Sequence, residues 1–99
     1  MKLVFVLLIA TASAFAQKEA KDIFAEKCAT CHGADGSANT AKGRKLKMKG
    51  VKETAAKVKP DEMVKIVTEG KGADMDGFGK EFSKDQIKGL VDYYRGLAK

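Results

Sequence analysis

Cys28, Cys31 and His32 stand in the order Cys28-Ala29-Thr30-Cys31-His32. Two thiols at this spacing can each add across a vinyl group on one edge of a haem, leaving the macrocycle held by two thioether bonds. The histidine directly after the second thiol then lies beneath the ring, where its imidazole can bind iron. C-x-x-C-H is the pattern of c-type haem attachment for this reason. His32 is the only histidine in the chain. The opposite face of an iron held there must be filled by another residue type or stay open. Methionine is the available donor, offered by Met48, Met63 and Met75. Met63 falls on the apolar stripe of an expected helix and reads as core. Met48 alternates with lysines and can pack inward beside Leu46. Met75 lies in the small-residue loop Lys71-Gly72-Ala73-Asp74-Met75-Asp76-Gly77-Phe78-Gly79, where no periodicity buries it. It is the favoured second ligand.

The same residues serve other chemistries. A C-x-x-C pair is also the redox dithiol of thioredoxin-like proteins, where it opens a helix after a strand; here it closes a helix and no strand pattern precedes it. A structural zinc site would use Cys28, Cys31 and His32 but has no evident fourth ligand.

Three principal helices must position these residues. The first is expected from Gln17 to Cys31, with Ala20, Ile23, Phe24, Lys27 and Cys28 recurring at three- and four-residue steps. Gly33 and Asp35-Gly36-Ser37 end it. The segment from Ala34 to Lys59 is loosely structured, with Leu46, Met48 and Val51 as inward contacts and a short helix over Val51–Val58. A second helix runs from Pro60, suited to the first helical position, to Glu69 before Gly70, with Met63, Ile66 and Val67 on its apolar face. The last spans Ser83 to Ala98. Ser83 and Gln86 form an S-x-x-Q capping box, and Ile87, Leu90, Val91, Tyr94 and Leu97 form its stripe. The expected class is all-α.

The amino terminus reads as a secretory signal peptide. Met1-Lys2 precedes the apolar run Leu3 to Ala10, and Ala14-Phe15-Ala16 supplies small residues at a cleavage site. Residues 1–16 are expected to be removed after Ala16, leaving 17–99 as the domain. The apolar stretch is too short for a spanning helix, which needs about 20 residues. A soluble periplasmic protein without stable membrane insertion is therefore expected. Removing 16 of the 99 residues leaves 83, a chain whose own apolar core is marginal. A Cys28–Cys31 disulfide would close too small a loop to stabilise much. One covalently held haem c supplies the missing core.

Of the 19 basic residues, 18 remain without Lys2, against 13 acidic ones, for +5. Two ionised propionates would lower this to about +3. Lys42, Arg44, Lys45, Lys47, Lys49, Lys52, Lys57 and Lys59 crowd one stretch that holds a single acid, Glu53. Such a run is either a solvated surface or a docking surface for an acidic partner. Nucleic acid is excluded as partner, because the stretch has no stacking aromatic.

Helix, Cys28-Ala29-Thr30-Cys31-His32-Gly33, a variable middle, a methionine loop and a last helix bearing Tyr93 resemble class I cytochrome c over roughly Ala20 to Ala98. Met75-Asp76-Gly77-Phe78, Ser83-Lys84-Asp85-Gln86-Ile87 and Tyr93-Tyr94-Arg95-Gly96-Leu97 are similar to the family's methionine loop and last helix. The resemblance implies a fold wrapped around one haem, covalent attachment through Cys28 and Cys31, and axial ligands His32 and Met75. It implies first and last helices that cross, with Phe24 against Tyr93 or Tyr94. A carbonyl near Arg44, in Gly43-Arg44-Lys45-Leu46, would accept from the free ring nitrogen of His32. The implied role is a monomeric one-electron carrier between redox proteins, not an enzyme. The alternative is a haem protein with an open iron site, a gas sensor or peroxide-reactive enzyme, if Met75 does not bind.

Overall fold

The computed structural model describes residues 20–98. The expected signal peptide, its cleavage after Ala16 and the first turn of the opening helix from Gln17 lie outside the described residues. Among these, the chain is helical, with no strand beyond one isolated bridge pairing Lys71 with Met75. Five helical segments appear, which we label α1 (residues 20–32), α2 (Ala41–Lys45), α3 (Val51–Lys57), α4 (Pro60–Glu69) and α5 (Lys84–Gly96). Helices α1, α4 and α5 are the three expected principal ones. The segment expected to be loosely structured contains two short helices, α2 and α3; only α3 was expected.

The ends of α4 and α5 follow from local chemistry. Pro60 needs no intrahelical partner for its nitrogen at the first position. Asp61 and Glu62 stand where the helix dipole is positive. Gly70 stops the helix at φ 89°, a value L side chains avoid. At α5 the Ser83 hydroxyl accepts from the Gln86 amide at 3.2 Å, and the Gln86 side chain accepts from the Ser83 amide at 2.8 Å.

The core sits where α1 crosses α5. Phe24 is 3% exposed, and its ring centroid lies 5.3 Å from that of Tyr93 and 6.0 Å from that of Tyr94. One turn earlier the crossing is tight: a Cβ on Gly89 would meet the Cβ of Ala20 at 3.8 Å. Ile87, Leu90 and Val91 of α5 are buried with Val51 of α3 and Met63 of α4. Arg95 fastens these helices together. Its Nη1 donates to the Val58 carbonyl at 2.7 Å and reaches the Met63 sulfur at 3.6 Å, and its Nη2 donates to the Ala55 carbonyl at 3.4 Å. No helix among the described residues is long and apolar enough to cross a membrane.

Candidate haem site

Cys28, Cys31 and His32 are carried by the last two turns of α1. The turn Phe24–Cys28 is π-helical, with the Ala29 amide bonded to the Phe24 carbonyl, and Ala29–His32 returns to α geometry. A π turn fits one more residue into the turn than an α turn does. It ends on Cys28, the first of the two thiols, and so helps set how the cysteines are presented. Both thiols are free and half-buried. Burial, and secondarily the neighbouring Cys31, push the Cys28 thiol up to about 11.

The end of α1 is pinned by the loop that follows. Gly33 leaves the helix at φ 83° with its amide on the Ala29 carbonyl. The Ala38 amide then donates to the His32 carbonyl at 2.7 Å, and the Thr40 hydroxyl donates to the Cys31 carbonyl at 2.7 Å. Thr40 also caps α2 by accepting from the Gly43 amide at 2.8 Å. Gly43 is required at this approach: a Cβ there would collide with the Ala38 carbonyl oxygen and come within 2.8 Å of that of Cys31. Thr40 and Ala38 thus hold the backbone of Cys31 and His32. Only the threonine, a good N-cap before α2, left any mark in the sequence.

His32 is packed edge-on against Tyr94, with ring centroids 5.1 Å apart, and lies 6.5 Å from Phe24. Burial pushes its imidazole below the ordinary histidine value, which favours the neutral ring that a metal requires. Its Nδ1 is buried and has no hydrogen-bond partner. The expected acceptor near Arg44 is not there. The Arg44 carbonyl accepts from Leu46 and Lys47 in its own turn, and the Gly43 carbonyl accepts from Met48 at 2.9 Å. Closure of α2 uses both oxygens.

Met75 lies on the loop between α4 and α5 and is half-buried. The loop is seated on the end of α4. Lys71 and Met75 exchange backbone bonds at 2.9 and 3.3 Å, the Phe78 amide donates to the Val67 carbonyl at 2.8 Å, and the Gly79 amide donates to that of Thr68 at 3.0 Å. Its far end is tied to α1 by an ion pair of Lys27 with Glu81 at 3.6 Å. The structure therefore groups Cys28, Cys31 and His32 on one helix end and presents Met75 from a separate, well-anchored loop. Met63 is 5% exposed beneath Arg95, as expected of core. Met48 is half-buried.

The donor set fits a covalently attached haem. Two free thiols at the right spacing precede a neutral imidazole with an orphaned buried nitrogen, and a thioether stands on an anchored loop.

A family model described as "Cytochrome C oxidase, cbb3-type, subunit III" matches residues 15–93 of this chain. The Cbb3-type cytochrome c oxidase subunit FixP of Azorhizobium caulinodans is 34% identical over 88 residues, covering 83% of this chain and 27% of that protein. The chain thus spans just over a quarter of that relative's length. Among solved structures, the KustC0563 c-type cytochrome matches with a TM-score of 0.72 and 28% identity, over 80% of this chain and 96% of the other. The all-α, cytochrome c-like architecture is shared with it.

Proposed function

Because this chain belongs to the family described as cbb3-type cytochrome c oxidase, subunit III, an electron-transfer haem domain, we propose that it is a periplasmic one-electron carrier. It would hold one haem c through Cys28 and Cys31, with His32 and Met75 as axial ligands. When bound, the haem supplies a one-electron ferric/ferrous couple. The observation that carries the assignment of His32 is its place at the end of α1 directly after two free, half-buried cysteines. An imidazole that gives one nitrogen to iron carries the proton on the other and needs an acceptor for it.

The residues have separate tasks. Cys28 and Cys31 prevent loss of the cofactor. His32 fixes one axial position from a helix end whose backbone is held by Thr40 and Ala38. Met75 fills the other, and a neutral thioether favours ferrous iron, which raises the potential. Phe24 and Tyr94 pack their rings against His32. With His32 and Met75 both held to the iron, substrate would have no route to it, and the protein would carry electrons instead of making or breaking bonds.

The eight basic residues from Lys42 to Lys59 are all exposed and would steer an acidic redox partner into a transient contact. The relative from A. caulinodans is by name an oxidase subunit, which supports a redox protein as partner. The test is to purify the protein from cells with haem-attachment machinery, then weigh and titrate it. The expected result is the mass of one haem beyond the polypeptide and a single one-electron wave. A colourless, compact protein of polypeptide mass would contradict the proposal.

A further inference from the structure

Two buried side-chain polar atoms among the described residues lack a hydrogen-bond partner, His32 Nδ1 and the Tyr94 hydroxyl. They belong to neighbouring side chains, whose rings meet edge-on at 5.1 Å. Leaving a buried donor or acceptor unmatched is costly, so native proteins keep few of them. Two such atoms on touching residues are most economically satisfied by each other. The backbone carbonyl of Arg44 already accepts two bonds and that of Gly43 one, and neither is bonded to His32.

We propose that Tyr94 is the positioning residue for His32 in the holoprotein: its hydroxyl oxygen accepts a hydrogen bond from Nδ1–H, directly or through one water, and its own hydroxyl donates a hydrogen bond to the Thr54 hydroxyl oxygen. This rests on His32 as an iron ligand and is independent of Met75. The far end of the relay is in place, because the Thr54 hydroxyl donates to the Gly50 carbonyl at 3.0 Å and keeps lone pairs free to accept. Thr54 also neighbours the phenol. The donor directions are consistent throughout. Neutral histidine bound through Nε2 donates from Nδ1, and tyrosine and threonine each accept one proton and donate another. Phe24 packs on both rings, at 6.5 Å from His32 and 6.0 Å from Tyr94, and fixes their mutual angle. A side-chain acceptor from α5 thereby does the work expected of a carbonyl on α2.

An acceptor on Nδ1 makes the imidazole more basic and favours ferric iron. Tyr94→Phe keeps the ring and the packing but deletes the acceptor. The holoprotein of this variant should show its oxidised-to-reduced equilibrium shifted about tenfold toward the reduced form, a rise of about 59 mV for one electron. The Nδ1 proton of His32, followed by NMR, should exchange faster with solvent. Thr54→Val should shift the potential the same way and less. In the wild-type holoprotein, a nuclear Overhauser contact between that proton and the Tyr94 ring is expected even if Tyr94→Phe folds poorly. A purely structural Tyr94 would lose stability in the phenylalanine variant while potential and exchange stayed unchanged, and that result overturns the proposal. So does a wild-type Nδ1 proton with no contact to Tyr94. The methionine–iron charge-transfer band of the wild type reports on Met75 separately, so its absence counts against the ligand assignment and not against Tyr94.

Discussion

At the scale of single residues, the site is set by atoms whose surroundings are incomplete or unusual. Cys28 is one. A thiol pushed from 9.0 to about 11 by burial holds about a hundredfold less thiolate at neutral pH, and the thiolate is the nucleophile. Haem-free protein should therefore show slow alkylation of Cys28 by iodoacetamide at pH 7, rising with pH toward 11. Fast labelling at pH 7, matching that of a free cysteine peptide, would contradict the burial. Ala38 is another. It is buried at φ 61°, where a Cβ is strained. Ala38→Gly should stabilise the protein by about 0.5–1 kcal/mol in urea unfolding while leaving the spectrum unchanged. The grouping of Cys28, Cys31 and His32 at one helix end was legible in the sequence, because they stand within five consecutive residues. The surroundings of His32 were not, since nothing in a linear chain says that α2 closes on its own carbonyls and turns them away from the ring.

At the scale of elements, α4 and α5 matched the sequence expectation nearly to the residue, because Pro60, Gly70 and the Ser83–Gln86 box act locally. Ser83→Ala should cost about 1 kcal/mol of stability, read by thermal or urea unfolding. The π turn Phe24–Cys28 carries no comparable mark, because its extra residue is accommodated by packing. Helix α2 was missed for a related reason. It is polar and lacks an apolar stripe, and it forms because Gly43 permits close approach to the Cys31 and Ala38 carbonyls. The methionine loop also depends on glycine. A Cβ at Gly70 would come within 2.7 Å of the Met75 carbonyl and 2.8 Å of the Gly77 nitrogen. Gly70→Ala should therefore weaken the proposed ligation by Met75, seen as a lower potential and new carbon monoxide binding, with the haem still retained. The Lys27–Glu81 pair is about half-exposed on both sides. Glu81→Gln should change stability by no more than about 1 kcal/mol.

At the scale of the whole molecule, charge is segregated. Eight basic residues and one acid occupy the stretch from Lys42 to Lys59, while the 13 acidic residues fall mostly elsewhere. Converting Lys45, Lys47 and Lys49 to Glu should slow electron transfer with an acidic partner about tenfold or more at low salt. The effect should fade as salt shortens the screening length, and the potential should barely move. Equal rates for variant and wild type at low salt would reduce the run to a solvated surface. The all-α class was legible in the sequence, and the crossing of first and last helices followed from the resemblance to class I cytochrome c. Arg95 was not, because a charged residue near a chain end reads as surface until α3 and α4 converge on its guanidinium.

The most direct test of the whole account is the oxidised absorption spectrum of the purified holoprotein, recorded with and without Met75→Ala. Iron held between His32 and Met75 predicts a methionine–iron charge-transfer band in the wild type and no carbon monoxide binding. It predicts loss of the band and ready carbon monoxide binding in Met75→Ala, with both features unaffected in Met63→Leu. A wild type that lacks the band and takes up carbon monoxide freely would contradict it.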